Sequence, residues 1–128
     1  MARLSGSRAC SVLNQLRVAA RAENDIDALL RDSEFRFGAA IAQRYRRLLD
    51  EALAVIRTDP ERAGVQAHVG LRPGLRLYHL RRARLRLPVA ERIARPRHIL
   101  VFRAGDGVVN LIRVLHDAMD MPRHLNDV

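Results

Sequence analysis

Residues 97–125, RHILVFRAGDGVVNLIRVLHDAMDMPRHL, decide the fold. Two runs of β-type residues, 98–103 and 108–115, flank Ala104-Gly105-Asp106-Gly107. Glycine tolerates the positive φ that tight hairpin turns require, so the two runs read as adjacent antiparallel strands. The second run closes on Arg113-Val114-Leu115-His116, and a short tail of Met, Pro, Arg and His follows. Gly105-Asp106-Gly107 is a turn and not a phosphate loop, since it lacks that motif's spacing and leads into no helix.

Toward the amino terminus, Leu71-Arg72-Pro73-Gly74-Leu75-Arg76 reads as a turn opening a strand over 75–80. Residues 81–96 are arginine-rich and read either as a long connection or as an extended hairpin with a short strand at 84–87. Residues 61–70 read as loop. Earlier still, Ile41, Tyr45, Leu48, Leu49, Ala52, Val55 and Ile56 recur in steps of three and four, which predicts an amphipathic helix over 39–57. Asp59-Pro60 ends it, because proline has no N–H for the helical ladder and restricts the residue before it. Ile26, Leu29, Leu30 and Phe37 show helical spacing over 21–37, with Glu23, Asp25 and Asp27 in the first turns, where the helix dipole favours negative charge.

Gly38 breaks the two helices apart, and residues 16–20 supply a short first strand. Residues 1–14 lack sustained periodicity and read as a flexible extension to one domain over 15–125. A helix hairpin needs a second layer to cover its apolar stripes, and the strands provide one. The expected order is β-α-α-β-β-β: an α+β domain with a helix hairpin packed on a small antiparallel sheet.

A chain of 128 residues, 48% of them hydrophobic, suits one domain with a modest core. No apolar run approaches the roughly 20 residues that span a bilayer, and the start lacks the apolar core of a secretory signal. Cys10 has no second cysteine to pair with, and no Cys/His cluster has zinc spacing. A cytoplasmic protein without metal, cofactor or membrane partner is expected. All 23 basic residues are arginine. Ten of them (Arg72, Arg76, Arg81, Arg82, Arg84, Arg86, Arg92, Arg95, Arg97 and Arg103) stand against the single acid Glu91, a balance of +9 that equals the charge of the whole chain. A block so biased should meet a polyanion or an acidic protein surface; the plainer reading is a solvated basic face.

The strand ending RVLH at 113–116, the tail MDMPRHL at 119–125 and RPGLR at 72–76 ahead of a strand together resemble the ParE branch of the RelE/ParE toxins of type II toxin–antitoxin systems. The resemblance spans about 16–125. It implies a toxin that inhibits DNA gyrase, is neutralised by a cognate ParD-like antitoxin, and reaches operator DNA through the antitoxin complex. Such a toxin binds its target and needs no catalysis. The alternative within the superfamily is a RelE-like, ribosome-dependent messenger-RNA endonuclease. A third reading is a DNA-binding module whose basic block holds duplex.

The residues expected to contact target or nucleic acid are Arg81, Arg82, Arg84, Arg86, Arg95, Arg97, Arg113 and Arg123, since guanidinium groups make forked contacts to phosphate and carboxylate. Were the protein a ribonuclease, Arg113 would stabilise the phosphate and His116 would serve as acid or base, with Arg123 and His124 nearby. Against that, no Tyr or Phe follows Phe102 to stack on a base, and lysine is absent. The plainer reading has Arg113 and His116 holding the sheet edge. Tyr78 reads as packing, with His79 on the opposite strand face. His68 and His98 stand alone and suggest no metal site, and Tyr45 and Leu49 are equally readable as core or as antitoxin contact.

Overall fold

Gly38 alone separates helix α1 (Ala20–Phe37) from helix α2 (Ala39–Thr58). The computed structural model describes residues 14–63, 65–66 and 74–117. Gly38 sits at φ 92°, where a Cβ would crowd the backbone, and its N–H closes α1 on the Glu34 carbonyl at 2.9 Å. Asp59 ends α2, its N–H bonded to the Val55 carbonyl at 3.1 Å. Pro60 then opens a single further turn, α3 (Pro60–Ala63), because a missing N–H does no harm at the first helical position. A two-residue strand, β2 (Val65–Gln66), follows. Part of 61–70 is therefore regular where loop was expected; both pieces are too short to show a period.

The other strands are β1 (Gln15–Val18), β3 (Arg76–His79), β4 (His98–Gly105) and β5 (Val108–His116). They lie in the order β1-β5-β4-β3-β2, antiparallel throughout except that β1 runs parallel to β5. The β4–β5 turn has Asp106 at φ 55° and Gly107 at φ 76°, the two consecutive positive values of a type I′ hairpin. Pairing runs in simple register from Gly105↔Val108 to Phe102↔Leu111 and then slips by one, so that Val101 faces Arg113 and Ile112 has no opposite residue. This β-bulge lets Leu111 and Val114, three residues apart, both join the core beneath the helices.

That core packs Leu29, Tyr45, Leu48, Leu49, Ala52 and Ile56 of the hairpin on Tyr78, Leu100, Phe102, Val109, Leu111 and Val114 of the sheet. Burial of each large apolar side chain contributes about 1.5–3 kcal/mol. Leu75, Leu77, Val101 and Leu115 form a smaller cluster on the sheet's other face. Phe37 departs from its expected place on the apolar stripe of α1 and is 65% exposed. Phe35, in the same last turn, is also at the surface.

Residues 84–87 are not a strand. The connection winds through 3₁₀ turns at Leu80–Arg82, Arg84–Arg86 and Val89–Glu91. Leu80 and Ala83, three apart, are fully buried, a spacing that a 3₁₀ turn puts on one face. Arg84 Nε donates to the Ile93 carbonyl at 2.8 Å and Arg92 Nε to that of Leu87 at 2.9 Å, so the backbone is satisfied within the connection rather than by a ladder.

Candidate functional site

Arg113 is committed to the fold. Its Nε and Nη2 donate to the two carboxylate oxygens of Asp25 on α1 at 2.8 and 3.1 Å, and the Val114 N–H donates to Asp25 Oδ2 at 2.9 Å. Strand β1 stops pairing with β5 at Leu111, and Asp25 takes a backbone donor farther along the same strand. The two side chains are only 13% and 18% exposed. The aspartate that sequence ascribes to a helix dipole thus pins α1 to β5. Nothing in the sequence marks a pair 88 residues apart.

His116 lies in a polar network at the end of the sheet. Its ring meets the His98 ring edge-on at 5.3 Å, and its Nδ1 is 3.6 Å from Asp117 Oδ1. The Arg97 N–H donates to the Tyr45 oxygen at 3.1 Å, and the Tyr45 hydroxyl is 2.7 Å from His98 Nδ1. The Tyr45 hydroxyl thus bridges the Arg97 backbone and the His98 ring. Burial, then the neighbouring His116, lowers the His98 pKa to about 4. Burial also pushes the Tyr45 phenol up to about 12, against the Arg97 backbone donor.

Asp117 collects the rest of the network. His79 Nδ1 accepts from the Arg81 N–H at 3.1 Å, so its Nε2 carries the proton directed at Asp117 Oδ2, 3.0 Å away. Arg97 Nε donates to Asp117 Oδ1 at 3.1 Å. The hydrogen bond from His79 holds the Asp117 carboxyl below the usual range, with Arg97 adding to it. Sequence reasoning left His98 isolated and gave Asp117 no role. The available signal was the hairpin register, which the bulge displaces: His98 pairs with His116, where uninterrupted pairing would have set it opposite Leu115.

The remaining arginines of the connection fall into two groups. Arg86 Nε donates to Glu51 on α2 at 2.7 Å, Arg47 of α2 pairs with Glu91, and the Arg82 guanidinium lies 5.4 Å from the centroid of the buried Tyr78 ring. These contacts lash the connection to α2 and β3. Arg81 and Arg95 are exposed, and Arg95 has no carboxylate partner among the described residues. Arg123, His124 and His68 lie outside the described residues. Among the described residues no group of three or more His, Cys, Asp or Glu could hold a metal ion, and no helix is long and apolar enough to cross a membrane.

Between the hairpin and the connection lies a cleft of about 660 Å³. Leu29, Ser33, Phe37, Ile41 and Tyr45 form one side, and Ile93, His98 and His116 the other. Arg36, Arg44, Arg92, Arg95 and Arg97 also line it, with Asp32 the one carboxylate among the lining residues. The structure thus brings together Arg95, Arg97 and His116 of the expected site, and sets Arg113 apart from them in its own ion pair.

Among solved structures, the chain is similar to one described as the chromosomal ParDE TA system from P. aeruginosa. The two superpose with a TM-score of 0.61 at 14% identity, over 80% of this chain and 95% of that one, which establishes a shared fold. The family rests on sequence: residues 16–121 match the model of the ParE toxin of type II toxin–antitoxin system, parDE, and the chain belongs to that family. No curated protein matches it at a significant level.

Proposed function

We propose that this ParE-family toxin acts in the cytoplasm by binding and inhibiting DNA gyrase. A ParD-like antitoxin neutralises it and carries the pair to operator DNA. The reading draws on the family and on one observation, the closed Arg113–Asp25 pair. A ribonuclease would direct that guanidinium at a crowded phosphate, whereas here its Nε–Nη2 edge is held by a carboxylate. The exposed arginines of the connection, Arg81 and Arg95 foremost, are the contacts proposed for the target.

Purified toxin should block plasmid supercoiling by gyrase and leave transcripts intact in cell-free translation. Added antitoxin should restore supercoiling. Transcripts cut on ribosomes with supercoiling untouched would instead establish the endonuclease, with His116, 38% exposed beside Asp117, as the residue to substitute first.

A further inference from the structure

The cleft beneath Phe37 has the chemistry of a small-molecule site, and it shares Arg95 with the contacts proposed for the target. Its volume of about 660 Å³ falls within the roughly 300–1,000 Å³ of ligand pockets. Leu29, Ile41 and Ile93 supply an apolar floor, and Phe37 offers an exposed ring at the rim. Arg44 on α2 and Arg95 on the connection both lack a carboxylate partner among the described residues. Among the described residues, Arg36 and Arg97 engage Asp32 and Asp117 through Nε alone, which leaves their terminal nitrogens to donate elsewhere. Ser33 is 8% exposed, and its hydroxyl has no hydrogen-bond partner among the described residues. A buried hydroxyl in that state is costly unless something entering the cleft bonds to it.

We propose that this cleft binds a nucleoside phosphate, the phosphates held by Arg44, Arg95 and the free guanidinium edges of Arg36 and Arg97, the base lying against Phe37 and the apolar floor. Guanidinium forks match phosphate oxygens, and a flat base stacks on an aromatic ring in the way single nucleotides are commonly held. Elements from α1, α2, the connection, the start of β4 and the end of β5 ring the cleft. An enclosure of that shape suits one nucleotide better than a long peptide. The same chemistry is offered by a free nucleotide and by the phosphorylated end of an unpaired strand.

The test titrates the purified full chain with ADP, adenosine, inorganic pyrophosphate, and a short oligodeoxynucleotide bearing either a 5′-phosphate or a 5′-hydroxyl. ADP should bind saturably, with adenosine and pyrophosphate each at least about tenfold weaker. Tighter binding of the 5′-phosphorylated oligonucleotide than of ADP would assign the site to a strand end, and the reverse to a free nucleotide; either supports the proposal. The double variant Arg44→Ala/Arg95→Ala should weaken ADP by about a hundredfold at unchanged melting temperature, as both side chains are at the surface. Arg46→Ala, outside the cleft, should bind normally. Pyrophosphate as tight as ADP, ADP binding that survives the double variant, or no saturable binding of any phosphate would overturn the proposal. So would an antitoxin that needs Arg44 and Arg95 while no nucleotide binds, since the cleft would then belong to a protein segment.

Discussion

Arg113 and Arg95 carry the same guanidinium, and the fold puts them to opposite uses. Arg113 stands at the free edge of β5, where Asp25 closes on its fork and on the neighbouring backbone N–H. Arg95 stands at the surface, where no carboxylate among the described residues answers it. A guanidinium beside a nearly buried carboxylate becomes part of the packing. One left at the lip of a cleft remains available to a ligand. Burial of the partner, rather than density of charge along the chain, separates the two cases.

The contrast breaks first at Asp25. Asp25→Ala leaves the Arg113 charge poorly solvated and the Val114 N–H without its acceptor, and should cost about 3 kcal/mol or more in urea denaturation. A loss below about 1 kcal/mol would mean that the pair is incidental to the fold. The histidine end should respond to acid. The folded His98 pKa lies near 4, below its ordinary 6.5, so the unfolded chain takes up that proton first as pH falls. Stability is therefore full above pH 6.5, falls by roughly 2 kcal/mol as pH drops toward 4 once the ring's partial exposure is discounted, and loses nothing more from this group below that. Denaturation of wild type and His98→Gln across that range checks it, the variant showing the shallower slope.

Tyr45→Phe is a smaller change in the same network. It removes the acceptor for the Arg97 N–H and the hydrogen-bond partner of His98 Nδ1, and should cost about 1–2 kcal/mol by thermal denaturation. Smallest is Arg95→Ala, which should shift stability by less than about 0.5 kcal/mol while weakening whatever occupies the cleft. If Arg95→Ala proved as destabilising as Asp25→Ala, the distinction between structural and available arginine would fail.

Most of the fold was legible because its signals are local. The α2 stripe, the Gly38 break and the Asp106-Gly107 turn each depend on neighbours within a few residues. One misreading falls where no local period exists. Residues 84–87 became 3₁₀ turns because Leu80 and Ala83 found the core and the arginines found carbonyls. Phe37, by contrast, lies on the expected helix and within its apolar spacing, yet its ring is left largely exposed.

The site was less legible than the fold. Its basic segment was visible from composition, yet the cleft draws equally on Ser33 and Arg44, which nothing in the sequence singles out, and on Phe37, which the helical spacing marks only as part of an apolar stripe. One unpaired residue, Ile112, shifts the end of β5 by a position and places His116 rather than Leu115 across from His98.

From its order of residues alone, this protein had its helices, its hairpin and its concentration of charge, since propensity, turn chemistry and counting act within a few positions. Which arginines are closed and which are open, and which histidines meet, depended on residues tens of positions apart arriving at one place. Only the packed helix layer and the slipped register of the sheet could decide that, because ion pairing and burial act through space and not along the chain.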